Sequence, residues 1–83
     1  MLKRVEINVE TLLDETGNVV PYRVIWKDGR SWKIDALISR QTSRTNEFLG
    51  VRYTVMLAGK EKNIYRIGSQ WYVFTAAPAI PLN

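Results

Sequence analysis

The chain has neither cysteine nor histidine. Without thiols there is no disulfide, and without thiolate or imidazole the usual zinc sites cannot be built. The same two absences remove the His general base and the Cys nucleophile, the commonest routes to acid–base and covalent catalysis. A Ser nucleophile would have only lysine as its base. The acids Glu6, Glu10, Asp14, Glu15, Asp28, Asp35, Glu47 and Glu61 are scattered along the chain. Glu6 and Glu10 share a strand face, but that face is expected to be solvated. Neither GxxxxGK[ST] nor GxGxxG occurs, so no glycine-rich phosphate loop is predicted. No window approaches a membrane span, and Met1–Glu6 lacks the apolar stretch of a signal peptide. These absences predict a non-catalytic protein with no cofactor, no metal and no membrane association. A cysteine-free composition also suits a cytoplasmic location.

What is present is a basic chain of one-domain length. Its 83 residues make a single domain with a thin core, burying about 60–65% of the unfolded surface. The net charge of +4 is uneven. Residues 1–20 carry Lys3 and Arg4 against four acids, summing to −2, and residues 21–83 carry ten cations against four acids, summing to +6. An acidic start on a basic body fits an anionic partner, and it equally fits plain solubility.

The clearest local pattern is Val24-Ile25-Trp26-Lys27-Asp28-Gly29-Arg30-Ser31-Trp32-Lys33-Ile34, in which apolar residues alternate on both sides of an Asp-Gly turn signal. A two-residue primed turn would oppose Lys27 to Arg30 and Ile25 to Trp32, mixing apolar and charged residues on both faces. A three-residue loop, Lys27-Asp28-Gly29, with Gly29 left-handed as a G1 bulge, pairs Trp26 with Arg30, Val24 with Trp32 and Tyr22 with Ile34. One face then holds Tyr22, Val24, Trp26, Trp32 and Ile34. Because a one-residue slip exchanges the faces, the hydrophobic pattern selects the bulged turn.

Elsewhere, Val5, Ile7 and Val9 alternate with polar residues in a half-buried strand running to Leu12 or Leu13. Residues 14–18 have turn composition. Pro21, which cannot donate to a ladder, is expected at the start or outer edge of the next strand. Residues 35–39 extend or bend the strand that follows the hairpin, and residues 40–47 read as the longest loop. Only residues 37–49 have room for a helical turn. Val51, Tyr53, Val55 and Leu57 mark a further strand, residues 63–67 another whose inner face is not assigned, and Trp71–Phe74 the last. The expected fold is all-β, a single small antiparallel meander of five to six strands closed as an SH3-like barrel. An OB-like barrel is the alternative. Residues 1–75 form the barrel, and residues 76–83 form an extended, proline-containing tail.

Asp14-x-x-Gly17, Pro21, the Trp26 hairpin into Trp32-x-Ile34-Asp35, Tyr53-x-Val55, Tyr65 and the closing Trp71-Tyr72-Val73 resemble a family of small uncharacterised bacterial domains. That family carries a Pro…Trp…Gly hairpin and a terminal aromatic strand. The likeness spans most of residues 14–74 and rests on turn and core residues. It implies a fold and transfers no functional residue.

Two residue sets remain as candidates for function. The aromatics Tyr22, Trp26, Trp32, Phe48, Tyr53, Tyr65, Trp71, Tyr72 and Phe74 are either core fillers or, where exposed, a stacking platform or peptide groove. Trp32 and Ile34 are expected inside, while Trp26 and Tyr72 are the candidate exposed aromatics. In the bulged register Arg23 lies opposite Lys33, a like-charge pair that destabilises a sheet unless compensated. Asp35, diagonally across, is the expected counter-ion. The alternative is an anion-binding strip of Arg23 and Lys33 with Arg52 or Arg66, supplemented by Arg40 and Arg44 in the long loop. The first functional expectation is a module binding a protein partner or another copy of itself. The second is a nucleic-acid-binding module.

Overall fold

A computed structural model describes residues 2–43 and 48–76. Among these residues there are six strands and no helix: β1 (Leu2–Leu13), β2 (Val19–Ile25), β3 (Ser31–Thr42), β4 (Val51–Leu57), β5 (Lys60–Ile67) and β6 (Gln70–Ala76). Every strand pairs antiparallel with the next, and β6 pairs back onto β1, closing a barrel. This consecutive order is the expected meander. It lacks the Greek-key crossing that defines an oligonucleotide-binding barrel. The expectation for the tail, and for Arg44 in the loop, lies outside the described residues.

Two long strands close the barrel by changing partners halfway. Leu2–Ile7 of β1 pair with β6, and Asn8–Leu13 pair with β2. Ser31–Lys33 of β3 pair with β2, and from Ile34 onward the strand pairs with β4. A bent strand that serves two sheets is how a small barrel turns its corners. The core inside is built from the alternating residues Val5, Ile7, Val24, Trp26, Ile34, Tyr53, Val55, Leu57, Ile64, Trp71 and Val73. Strand β5 thus turns Ile64 inward and Tyr65 outward.

The hairpin has the bulged geometry. Arg23, Val24 and Ile25 pair with Lys33, Trp32 and Ser31. Gly29 N–H donates to the Trp26 carbonyl at 2.9 Å, Trp26 N–H donates to the Arg30 carbonyl at 2.7 Å, and Gly29 has φ +93°. The face containing Val24, Trp26 and Ile34 is buried, with Trp32 packed against it.

Three expectations are corrected. Tyr22, expected on the inner face, is exposed, and the neighbouring Pro21 is buried. The cause is a bulge, because Glu10 pairs with Arg23 and Thr11 with Pro21, leaving Tyr22 as the extra residue. A bulge places two residues opposite one and so reverses the alternation beyond it. The proline is tolerated because the β2–β3 ladder covers only residues 23–25 of β2, so no donor is needed on that side. Second, residues 40–42 are strand, with Arg40, Gln41 and Thr42 paired to Tyr53, Arg52 and Val51. Their polarity suits a strand with no core side to cover. Third, the Arg23–Lys33 pair is compensated from β1 instead of β3. Glu10 lies beside Arg23 in the β1–β2 register and accepts from Arg23 Nε at 3.1 Å.

Candidate interaction surface

The sequence-predicted cations do not converge. Arg23 and Lys33 face solvent on the β2–β3 hairpin, with Arg23 engaged by Glu10. Arg52 lies on the outer face of β4, donating to Gln41 Oε1 across the β3–β4 ladder. Arg66 turns the other way: its Nε donates to the buried Tyr53 hydroxyl at 3.2 Å and its Nη1 to the Gly68 carbonyl at 2.9 Å. Arg40 is exposed in the second half of β3. These positions lie on different faces, so a single anion-binding strip is not assembled.

The candidate exposed aromatics are both buried, Trp26 at 3% and Tyr72 at 1% exposure. Trp26 is covered because the bulged turn keeps it in phase with Val24 on the inner wall. Tyr72 does point outward, opposite to its core neighbours Trp71 and Val73. It is then covered from outside. Its hydroxyl donates to the Leu49 carbonyl at 2.8 Å, and the Arg4 guanidinium lies 4.1 Å from its ring centroid. Tyr65 stacks on it at 5.2 Å, and Phe74 meets it edge-on at 5.5 Å. Phe48 packs edge-on against Tyr65 at 5.5 Å, with Arg52 4.9 Å from its own ring centroid. This is a second, external aromatic cluster whose ring faces are largely taken by arginines and by each other. A base would have to displace them. The covering role of Phe48 and Leu49 carried no signal in the sequence beyond their being apolar after a polar run.

The larger exposed feature lies on β3. From Asp35 to Thr42 every residue of this strand is exposed. Its ladder to β2 ends at Lys33, and from Ile34 onward it is bonded only to β4. Beyond Lys33 the barrel wall therefore parts, leaving one edge of β3 without a backbone partner among the described residues. Leu37 and Ile38 stand on this half-strand at 38% and 48% exposure. Bulges on the β4 side fall between Ile34 and Ala36 and between Leu37 and Ser39, which is why both neighbours are exposed instead of alternating in and out. Along the parting edge, the β1–β2 hairpin arm carries Leu12 and Leu13 at 59% and 71% exposure.

Two clefts complete the surface. One of about 280 Å³ lies where β5 and β6 diverge, floored by Leu57, Ile64 and Val73 and rimmed by Glu61 and Lys62. Another of about 410 Å³ sits where β1 passes from β6 to β2, with Asn8, Lys27 and Gln70 on its wall. Neither gathers a catalytic constellation. No cluster of three acidic side chains suited to a metal ion occurs among the described residues. Two carboxyls are shifted, both in turns. The Thr16 hydroxyl and then the Asn18 N–H hold Asp14 below the ordinary 3.8, and the Arg30 N–H holds Asp28 below it. Both are exposed turn-formers, so their shifts report local structure. No family model, curated protein or solved structure matches the chain.

Proposed function

We propose that this protein is a non-catalytic binding module that acts through protein contacts at the open edge of β3. The observation that supports this reading is the half-strand Asp35–Thr42, exposed on both faces, unpaired along one edge among the described residues and carrying Leu37 and Ile38 in solvent. A vacant strand edge presents a row of amides and carbonyls ready to pair with another chain. Adjacent apolar side chains supply the contact area, and extended segments add to such edges in many recognition domains. Nucleic-acid binding has less support. Its proposed cations are dispersed, and the ring faces it would stack on are occupied.

The test is an NMR titration of dilute protein with two probes. One is a capped decapeptide of alternating valine and threonine, and the other is a short oligonucleotide, single- or double-stranded, at low salt. The reading predicts amide shifts confined to residues 34–42 with the peptide, absent in Ile38→Lys. Oligonucleotide shifts at the arginines that vanish as salt rises, with none at β3 from the peptide, would replace it by the nucleic-acid reading.

A further inference from the structure

We infer that residues 77–83 cover the cleft between β5 and β6 and supply the acceptor that the buried hydroxyl of Thr75 lacks. This concerns a different part of the wall and does not rest on the reading of β3.

The wall is incomplete at this place. Strands β5 and β6 are joined only through Tyr65–Tyr72, Arg66–Trp71 and Ile67–Gln70. Past Tyr72, β6 is bonded among the described residues to β1 alone, and before Tyr65, β5 is bonded to β4 alone. Two vacant edges therefore face each other across the cleft of about 280 Å³, whose floor is Leu57, Ile64 and Val73 of the core. A segment laid over it would gain both backbone partners and apolar contact.

Thr75 marks the same end of β6. By alternation its side chain follows Trp71 and Val73 on the inner face, and it is 8% exposed. Its hydroxyl has no hydrogen-bond partner among the described residues. A buried hydroxyl left unsatisfied is costly, whereas valine would fill the same shape without that penalty. A threonine at this position points to an acceptor from elsewhere.

Position and chemistry identify the occupant. Strand β6 runs to Ala76, one residue past Thr75, so residues 77–83 leave the barrel beside the cleft. They carry no charge, and their large side chains besides proline are Ile80 and Leu82. Leu82 lies up to about 19 Å along an extended chain from Ala76, and Val73 lies about 10 Å back along β6. The segment thus has the length to turn and reach the floor. Pro78 and Pro81 present carbonyls without N–H donors, so the segment has a surplus of the acceptor that the Thr75 hydroxyl needs. A foreign peptide of the same chemistry would have to be captured from solution, whereas this one is already tethered at the site.

NMR of the full 83-residue chain tests the inference. Methyl NOEs are expected from Ile80 or Leu82 to Leu57, Ile64 or Val73. Ile80→Asp should remove them and lower the melting temperature. Thr75→Val should also lower the melting temperature of the wild type. In the Ile80→Asp background it should lower it no further, because the acceptor has already left. Absence of NOEs between the segment and the cleft overturns the inference, as does Ile80→Asp melting like wild type. A Thr75→Val protein more stable than wild type overturns it too, since the hydroxyl would then be bonded to nothing. NOEs from Ile80 or Leu82 to Leu37 or Ile38 would seat the segment on β3 and likewise overturn it.

Discussion

Glu10 on β1 holds Arg23 on β2 at 3.1 Å, while Arg23 lies directly opposite Lys33 on β3. Three charges thus form a row across three strands, with the acid at one end. Glu10→Gln leaves two cations facing each other. Because the pair is about half exposed, the expected loss is only about 0.5 kcal/mol at low salt. It should fade as salt rises, and Lys33→Glu should give a comparable gain. Urea unfolding at two salt concentrations measures both, and salt-independent effects would contradict the electrostatic account.

Two glycines separate backbone strain from steric conflict. A Cβ on Gly29 meets nothing within 4 Å, and its φ is +93°. Gly29→Ala should therefore cost only the left-handed penalty, about 1–2 kcal/mol. Gly50 has φ +83°, and a Cβ there falls 2.0 Å from the Arg66 carbonyl oxygen. Gly50→Ala should add a further penalty of about 1–3 kcal/mol for overpacking against β5. Denaturant melts of the two variants should rank Gly50→Ala as the more damaging. Equal losses would show that the approach of residue 50 to β5 is not tight.

The external aromatic cluster is tied down by one hydroxyl. Tyr72→Phe removes the donor to the Leu49 carbonyl and should cost about 0.5–1.5 kcal/mol. Faster amide exchange should be confined to residues 48–50. A loss spread over β6 would mean that the hydroxyl supports the barrel and not the covering segment.

Acid should act on the fold through its turns. Asp14 and Asp28 are both held below 3.8. A carboxyl whose folded value is depressed stabilises the fold fully above its unfolded value, and that contribution is lost as pH falls through the lowered one. Melting temperatures of wild type and of Asp14→Asn with Asp28→Asn should thus converge only below about pH 3.8. Parallel curves would remove the turn carboxyls from the acid response.

The small antiparallel barrel, as a meander of five to six strands, and the hairpin register were legible in the sequence, because each follows from period-two alternation and turn chemistry. The counter-ion of Arg23 was not, because unbroken pairing from Leu13 with Val19 sets Glu10 opposite Tyr22, and only the extra residue Tyr22 moves it to Arg23. Tyr22 faces the other way from the alternation because a bulge leaves no mark in an alternating pattern. Residues 40–42 read as loop in the sequence because a strand edge that covers no core needs no apolar residue. That last failure explains why the candidate surface was missed. From the sequence Leu37 and Ile38 read only as an extension or bend of the strand, and the end of the β2–β3 ladder at Lys33 is what leaves them exposed.

Amide hydrogen exchange across β3 tests the central claim most directly. In dilute protein, the amides of residues 34–42 that point away from β4 should exchange quickly, while those bonded to β4 are protected. Adding the decapeptide should slow the first set and leave Ile38→Lys unchanged. Protection of both sets before it is added would contradict an open edge. So would protection that appears on association anywhere other than β3.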